Sequence, residues 1–266
     1  MKVIADLHEW RQWRQALASS SVGFVPTMGA LHAGHESLLQ RSVAENKSTV
    51  LSIYVNATQF NDPQDLAAYP QSLDADLQLA QQTGVTAVLL PTYQQMYPDD
   101  YRFHIDETQF SQGLCGADRP GHFAGVLTVV MKLLNLVQPQ RAYFGLKDFQ
   151  QYQLIKDMVT AFFLPIDIVG CETVREADGL AMSSRNKLLD SCARAKASQF
   201  NKILSSAPTD SLAVQQLEQL GVVVDYVETR AERRFAAIVV ASAQGDVRLI
   251  DNVTPPSVGA TTDPRG

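Results

Sequence analysis

The chain has 266 residues, of which 45% are hydrophobic and 19% charged, so it is long enough for one large domain with a smaller companion. The net charge of -6 argues against a nucleic-acid partner bound through clustered basic residues. Three widely spaced cysteines without a C-x-x-C pair indicate neither a disulfide framework nor a structural zinc site. No apolar run approaches the roughly 18 residues that a membrane span needs, and we expect a cytoplasmic protein without a membrane partner.

The first part of the chain alternates predicted strands with predicted helices. Apolar runs rich in β-branched residues predict strands at residues 22–25, 50–55, 85–90, 141–144 and 166–169. Apolar side chains at helical spacing predict helices at residues 7–18, 72–82, 126–137 and 148–163, and a further helix follows the first strand. This alternation predicts an α/β fold with a doubly wound, Rossmann-like parallel sheet, which we assign to residues 1–175.

The pattern changes after residue 175. Two helices, predicted at residues 190–204 and 210–220, precede three strands, predicted at residues 222–229, 236–241 and 247–250. We therefore expect a smaller C-terminal α+β domain over residues 176–253. The tail at residues 254–266 has too little apolar content to be buried and is predicted to be disordered.

The stretch after the first strand carries the strongest functional signal. Pro26 is expected to end the strand, and His32 and His35 are three residues apart, so they share one face of the helix that follows. A helix N-terminus offers unpaired N–H groups and a partial positive charge, and two imidazoles there add donors for the same anion. The pattern favours a phosphate site, although a metal pair or a capping role also fits two histidines.

Other polar residues follow two of the predicted strands. Asn56 and Gln59 come after residues 50–55, and Lys147 and Asp148 come after residues 141–144. Ligands of open parallel sheets bind beyond the carboxyl ends of the strands, where these residues are expected to meet. Asn56 and Gln59 fit a ligand and a structural role equally well, Lys147 suits either phosphate or solvent, and Asp148 suits a helix N-cap.

A third polar group lies in the predicted C-terminal domain. Ser183, Ser184 and Arg185 offer two hydroxyls and a guanidinium in sequence, which suits phosphate oxygens, although such residues also occur in ordinary loops. The chain has neither G-x-G-x-x-G after its first predicted strand nor G-x-x-x-x-G-K-[ST]. A dinucleotide site of the usual Rossmann type and a P-loop are therefore not supported.

Four segments together resemble a known family. Residues 26–35, 119–123, 144–151 and 178–186 read PTMGALHAGH, RPGHF, FGLKDFQQ and DGLAMSSRN. In this order they resemble the pantothenate synthetase, or pantoate:β-alanine ligase, family, which shares its H-x-G-H helix with nucleotidylyltransferases and class I aminoacyl-tRNA synthetases. The resemblance implies an AMP-forming ligase of coenzyme A biosynthesis. Pantoate would attack the α-phosphorus of Mg-ATP to give pantoyl adenylate and pyrophosphate, and the β-alanine amine would then displace AMP.

The resemblance also implies roles for individual residues. His35 would be the proton donor, assisted in catalysis by His32, Lys147, Ser183, Ser184 and Arg185. Gln59 and Gln151 would hold pantoate, Gln59 would also touch β-alanine, and Asn56 would belong to the same substrate pocket. The residues implied to contact ATP are Met28, Gly29, Ala30, Leu31, His32, Ala33, Gly34, His35, Gly145, Leu146, Lys147, Asp148, Val174, Met182, Ser183, Ser184 and Arg185. Mg²⁺ would accompany ATP through ligands that the sequence does not identify, and a homodimer is expected.

Two positions depart from the family pattern. Ala57 and Thr58 stand where family members commonly have Pro-Met, and Leu146 stands where they have an acidic residue. The first departure bears on the orientation of Gln59, and the second bears on the charge near Lys147. Two other functions stay open at this point: transfer of AMP to a phosphorylated acceptor, as in relatives with the same helix, and a nucleotide sensor without catalysis.

Overall fold

The computed structural model describes residues 1–17, 20–67 and 69–256. The predicted end of the first helix at Ala18 and most of the predicted disordered tail, residues 257–266, lie outside the described residues. The chain divides into two compact units, one covering residues 1–174 and the other beginning at Arg175. This division falls one residue before the boundary expected from the sequence.

The first unit contains a six-stranded sheet in which all registered pairs are parallel. Its strands are β1 (Lys2–Ile4), β2 (Val22–Thr27), β3 (Ser48–Ile53), β4 (Ala87–Leu89), β5 (Arg141–Gly145) and β6 (Asp167–Cys171). They lie in the order β1-β4-β3-β2-β5-β6, so the chain moves outward from β2 to β4 and then returns to the other side of β2. The strand order therefore reverses between β2 and β5, the place where such sheets bind ligands.

Helices cover both faces of this sheet, as a doubly wound fold requires. They are α1 (Leu7–Ala16), α2 (Ala33–Glu45), α3 (Pro63–Ala67), α4 (Leu73–Thr83), α5 (Tyr93–Met96), α6 (Cys115–Asp118), α7 (His122–Val137) and α8 (Phe149–Ala161). Phe24 belongs to an apolar core shared with α1, α7 and α8, whereas Val25 belongs to a second core shared with α2 and α4. Successive side chains of a strand point to opposite faces, so β2 contributes to both cores.

Pro26 lies inside β2, and the prediction that it ends the strand was wrong. The carbonyl of Thr27 accepts from Tyr54 after β3, whereas the carbonyl of Val22 accepts from Gln140 before β5, so alternate residues of β2 face opposite neighbours. By this alternation the nitrogen of Pro26 faces β5, but the registered pairing of β2 with β5 ends at Phe24. The proline therefore removes no hydrogen bond from the ladder.

Two shorter stretches of the first unit contain elements that were not predicted. The edge strand β1 was not predicted, because three residues are too few to show a period. Between the strand predicted at residues 85–90 and the helix predicted at residues 126–137, the chain contains α5, α6 and a 3₁₀ turn at Phe110–Gln112.

The second unit contains an antiparallel sheet of three strands in the order β7-β8-β9, and a prediction of α+β structure is confirmed for it. Its elements are a 3₁₀ helix at Ser184–Leu188, α9 (Ser191–Ala197), α10 (Phe200–Ser206), α11 (Asp210–Gln219), β7 (Val223–Arg230), β8 (Arg233–Ser242) and β9 (Gly245–Val253). The single helix expected at residues 190–204 is thus two short helices. Apolar residues of α9, α10 and α11 pack with β8 and β9 in one core.

Candidate active site

The histidine turn, residues 28–35, leads from β2 into α2. His32 is the N-cap of α2, and its Nδ1 accepts the N–H of Gly34 at 3.1 Å. In return, Nδ1 of His35 accepts the N–H of His32 at 3.4 Å, and the two imidazole centroids are 4.1 Å apart. Since Nδ1 of each neutral ring is an acceptor, each ring carries its proton on Nε2. The capping arrangement therefore fixes two adjacent imidazoles as Nε2–H donors.

The backbone of the histidine turn is less available to an anion than its sequence suggested. The N–H of Ala30 and the N–H of Leu31 donate to the two carboxylate oxygens of Asp76 at 2.9 and 2.8 Å. The N–H of Gly29 donates to the Thr27 hydroxyl at 3.2 Å. Several backbone donors are thus already paired within the protein, and the imidazoles are the side-chain donors that the turn offers. No local pattern in the sequence indicated that Asp76 belongs to this turn.

The electrostatic surroundings of His35 keep its ring neutral. Burial lowers the pKa of His35 to about 3, and the neighbouring His32 contributes to this lowering. The charge of Asp148 acts in the opposite direction, and the charge of Lys147 lowers the pKa. The charges that follow β5 therefore shift the pKa of a histidine that follows β2. This is expected, because β2 and β5 are the neighbouring strands between which the strand order reverses. A neutral His35 can donate a hydrogen bond to phosphate without first losing or gaining a proton.

Lys147 and Asp148 lie in a 3₁₀ turn, Leu146–Asp148, between β5 and α8. Asp148 occupies the N-cap position of α8, but its carboxylate makes no capping hydrogen bond, so that part of the sequence interpretation was wrong. Instead, Lys147 Nζ lies 3.5 Å from Asp148 Oδ1. The Lys147 side chain is 20% exposed, whereas that of Asp148 is 47% exposed. The ammonium group is thus held near the sheet edge rather than extended into solvent.

Gln59 and Asn56 form a hydrogen-bonded group after β3. Asn56 is 1% exposed, and its amide donates to the Gln59 Oε1 atom at 3.1 Å and to the carbonyl of Gly125 at 3.2 Å. Its own oxygen accepts from the Tyr97 hydroxyl at 2.8 Å. Gln59 Nε2 lies 3.1 Å from Met28 Sδ in the histidine turn. Both the nitrogen and the oxygen of the Asn56 amide are therefore hydrogen-bonded within the protein, and Asn56 orients Gln59. Gln59 in turn links the residues after β3 to the histidine turn.

The segment RPGHF supports the same glutamine from its backbone side. His122 Nδ1 lies 2.8 Å from the carbonyl oxygen of Gln59, and the Arg119 guanidinium donates to that oxygen at 3.3 Å. A Cβ atom on Gly125 of α7 would lie 2.5 Å from the carbonyl of Thr58, so only glycine allows this helix to approach the turn so closely. A cavity of about 430 Å³ opens here, with Gln59 and His122 in its lining. This cavity can hold a small polar molecule beside Gln59.

The two glutamines at the start of α8 have different surroundings. Gln150 is buried, and its amide donates to the carbonyls of Phe110 and Gly113, both at 2.8 Å. Gln151, the residue implied to hold pantoate, is half-buried. Val174, also implied as an ATP contact, is half-buried at the end of the first unit. Sequence reasoning missed the anchoring role of Gln150, because adjacent glutamines look alike in a sequence.

The serine–arginine segment, residues 182–185, lies in the second unit. Ser183 is the N-cap of the 3₁₀ helix, and its hydroxyl accepts the N–H of Arg185 at 3.3 Å. The Arg185 side chain is exposed, and Met182 and Ser184 are half-buried. The segment begins directly after Ala181, which is buried and forms an isolated antiparallel bridge with Arg175.

A framework of ion pairs lies around this segment. Arg194 donates to Glu176 and to Asp178, both at 2.6 Å, and Asn186 donates to Glu176 at 2.5 Å. Arg175 makes two hydrogen bonds to Asp251, at 2.7 and 3.0 Å. The second unit therefore fixes the residues on either side of the segment, Ala181 and Asn186, and leaves Arg185 exposed between them.

Metal ligation and membrane insertion can both be judged over residues 1–17, 20–67 and 69–256. In this part of the chain, no three His, Cys, Asp or Glu side chains are grouped as metal ligands. The metal alternative for His32 and His35 thus finds no third ligand of these types there. Over the same ranges, no helix combines the length and the apolar character needed to cross a bilayer.

Comparisons with known proteins agree on one family. The profile of the family described as pantoate-beta-alanine ligase matches residues 1–254. A pantothenate synthetase from Bdellovibrio bacteriovorus is 51% identical over 252 residues, which is 95% of this chain and 98% of that protein. The crystal structure of the Francisella tularensis pantoate-beta-alanine ligase, complexed with beta-gamma ATP and beta-alanine, superposes with a TM-score of 0.88 at 37% identity, covering 96% of this chain and 97% of that one. A pantothenate synthetase structure from Thermus thermophilus gives a TM-score of 0.85 at 37% identity, covering 96% of this chain and 99% of that one.

Proposed function

We infer from its site that this chain, which belongs to the pantoate-beta-alanine ligase family, joins pantoate to β-alanine with ATP. It is an ATP-dependent ligase that forms pantothenate. The observation that carries the inference is the histidine turn. Its two imidazoles are neutral Nε2–H donors, fixed by capping bonds, at the reversal of strand order beside Lys147.

We propose that the reaction proceeds through pantoyl adenylate. A carboxylate oxygen of pantoate attacks the α-phosphorus of ATP, the bond from that phosphorus to the bridging oxygen breaks, and pyrophosphate leaves with the bond electrons. The β-alanine amine then attacks the acyl carbon, AMP leaves, and the amine loses a proton. Negative charge accumulates on phosphoryl oxygens in the first step, so donors held in place before the reaction stabilise its transition state.

We assign the individual roles as follows. His35 and His32 donate to phosphoryl oxygens, Lys147 supplies a positive charge to the phosphates, and Gln59 with Gln151 hold pantoate. Gln59 also contacts β-alanine. In the histidine turn, Met28, Ala33 and Gly34 remain predicted ATP contacts, as do Gly145 and Leu146 next to Lys147. Val174, Met182, Ser183, Ser184 and Arg185 remain predicted ATP contacts on the strength of the family resemblance. What supports the pantoate assignment is the orientation of Gln59 by Asn56 and the contact of Gln59 with Met28 of the histidine turn.

Mg²⁺ is proposed to arrive with the phosphates of ATP. The described residues contain no cluster of three acidic, histidine or cysteine side chains for it, so the phosphate oxygens supply most of its ligands in this proposal. Mg²⁺ prefers oxygen ligands and commonly binds through substrate phosphates with few protein groups. The chemistry it supplies when bound is neutralisation of phosphate charge.

A homodimer and a cytoplasmic location are also proposed. The dimer is expected from the family resemblance, and sedimentation at working concentration measures it; a monomer there would contradict it. The location follows from the need for ATP, and fractionation of cells that express the chain would test it.

The decisive experiment is a product assay with ATP, Mg²⁺ and pantoate, with and without β-alanine. AMP and pyrophosphate formed together, with free AMP dependent on β-alanine, are the expected result. ADP and phosphate would mean that a different bond of ATP is attacked, which contradicts the proposal. Transfer of AMP onto a phosphorylated acceptor with release of pyrophosphate, without any need for β-alanine, would favour a nucleotidylyltransferase. ATP binding without turnover would favour a sensor.

A further inference from the structure

Asp76 is a buried carboxylate that no part of the proposed reaction uses. It lies in the first turn of α4, and only 3% of its surface is exposed. Oδ2 accepts the N–H of Ala30 at 2.9 Å, and Oδ1 accepts the N–H of Leu31 at 2.8 Å and the hydroxyl of Ser72 at 3.1 Å. A buried carboxylate is costly unless hydrogen bonds compensate it, and these three bonds are of the stronger, charge-assisted kind. Most of what Asp76 binds is therefore the backbone of the histidine turn.

The backbone that Asp76 binds has an unfavourable conformation. Gly29 has φ of 86° and Ala30 has φ of 53°, so two successive residues are in the left-handed region. This region is open to glycine but disfavoured for alanine, whose Cβ approaches the following carbonyl oxygen. A Cβ on Gly29 would also lie 2.9 Å from Asp76 Oδ2. The carboxylate thus approaches the turn so closely that Gly29 is required, and its two hydrogen bonds favour the strained state of Ala30.

We propose that Asp76 is a positioning residue for the ligase reaction: by binding the N–H groups of Ala30 and Leu31, it fixes the left-handed turn from which His32 and His35 project. The activity measurement that tests this inference rests on the proposed function. The N–H groups of Ala30 and Leu31 donate to Asp76 and are therefore not available to ATP. In this turn the imidazoles, and not these backbone amides, donate to phosphate.

Asp76→Asn is the first test, with Ser72→Ala as the matched control. The amide keeps the size of the side chain but places an NH₂ group against one of the two backbone N–H groups. We expect kcat for pyrophosphate release to fall about tenfold or more, because small misplacements of catalytic groups are costly, while the KM for pantoate changes by less than about threefold. Ser72→Ala removes one bond to Asp76 and leaves both backbone bonds, so its kcat is expected to stay near the wild-type value. A wild-type kcat for Asp76→Asn would overturn the inference, whereas an inactive wild-type protein would contradict the proposed function instead.

Rescue by Ala30→Gly tests whether Asp76 acts through the turn. Glycine reaches the left-handed region without the steric cost of alanine, which is on the order of 1 kcal/mol, or about fivefold. Adding Ala30→Gly to Asp76→Asn is therefore expected to restore kcat by about fivefold. If the double variant is no faster than Asp76→Asn, the carboxylate does not act by holding Ala30.

Amide hydrogen exchange tests the same inference in the wild-type protein, including the case that Asp76→Asn does not fold. The N–H groups of Ala30 and Leu31 are expected to be protected before any nucleotide is added. Their protection should change little on adding ATP, since Asp76 holds both groups in either state. Amides that exchange freely in the absence of ATP and become protected only in its presence would show that they bind phosphate, and the inference would be wrong.

Discussion

The histidine turn and the serine–arginine segment are both predicted to contact ATP, yet they are built in opposite ways. In the histidine turn, capping bonds hold His32 and His35, and Asp76 holds the backbone before them. In the serine–arginine segment, the Ser183 hydroxyl accepts one N–H, and Arg185 is exposed. The first arrangement is ordered before substrate arrives, which suits donors that act on the transition state. The second leaves the Arg185 guanidinium exposed, which suits a charge contact with a bound phosphate.

The largest effect is expected from the histidine turn. His35→Ala removes one of two fixed Nε2–H donors, and pyrophosphate release should fall by about a hundredfold or more, as when one transition-state donor is lost. His8→Ala, on the exposed face of α1, is the matched control and should leave the rate unchanged. Pyrophosphate release is measured in a single turnover with ATP and pantoate. A near-normal rate for His35→Ala would remove this residue from the chemical step.

A smaller and different effect is expected from the serine–arginine segment. Arg185→Ala should raise the KM for ATP by about tenfold, the scale for losing a hydrogen bond to a charged group, with a smaller change in kcat. Lys187→Ala, an exposed cation in the same 3₁₀ helix, is the control. Steady-state kinetics with varied ATP would measure both. Equal losses for the two variants would mean that only the net charge matters, and a loss confined to kcat would make this segment resemble the histidine turn.

The sequence located the histidine turn and the serine–arginine segment but did not show that they are built differently. The alternation of strands and helices predicted the doubly wound sheet, because continuous apolar strands and periodic helices leave a local signal. The short strand β1 left none. Asp76 lies in the first turn of α4, where an acidic side chain favours the helix dipole without any distant partner. Its actual partners, Ala30 and Leu31, are 46 and 45 residues away in the sequence and meet it only in the folded chain.

Side chains near Gln59 illustrate the same limit. Gln59 and Asn56 could be located after β3 from the sequence, but ligand and structural roles could not be distinguished. That distinction depends on Tyr97 and Gly125, which approach Asn56 from distant parts of the chain. Asp148 was expected to cap α8 because its position in the chain is that of an N-cap. The nearby ammonium of Lys147 competes for the same carboxylate, and only the folded geometry decides between them.

Gln59 contacts Met28 in the histidine turn, so its substitution tests whether a residue beside this ordered turn also binds substrate. Gln59→Ala should raise the KM for pantoate by about fivefold, the scale for a neutral hydrogen bond, and the KM for ATP by less. Gln64→Ala, exposed in α3, is the control and should change neither. Initial rates with each substrate varied in turn measure the ranking. A larger effect on ATP than on pantoate would mean that Gln59 supports the histidine turn through Met28 and does not hold pantoate.

The smallest effect concerns the ion pairs that support the serine–arginine segment. Arg194→Met should lower the free energy of unfolding by about 1 kcal/mol at neutral pH, since the pairs are partly exposed. The hydrogen bond from Arg194 lowers the pKa of Asp178 below its ordinary 3.8. Burial raises the pKa of Glu176, but hydrogen bonds from Arg194 and Asn186 bring it below 4.5. Urea denaturation of wild type and variant over a range of pH measures the difference.

The sign of the pH dependence follows from these pKa values. Because both carboxyl groups have lower pKa values in the folded protein than in the unfolded chain, their contribution is complete above about pH 4.5 and is lost as the pH falls through the lowered values. The difference between wild type and Arg194→Met should therefore shrink in acid, whereas Lys202→Met, exposed on α10, should show no such trend. A difference that persists in acid would mean that Arg194 acts through the packing of its apolar stem. Packing would then support the serine–arginine segment, whereas hydrogen bonds to the Asp76 carboxylate support the histidine turn.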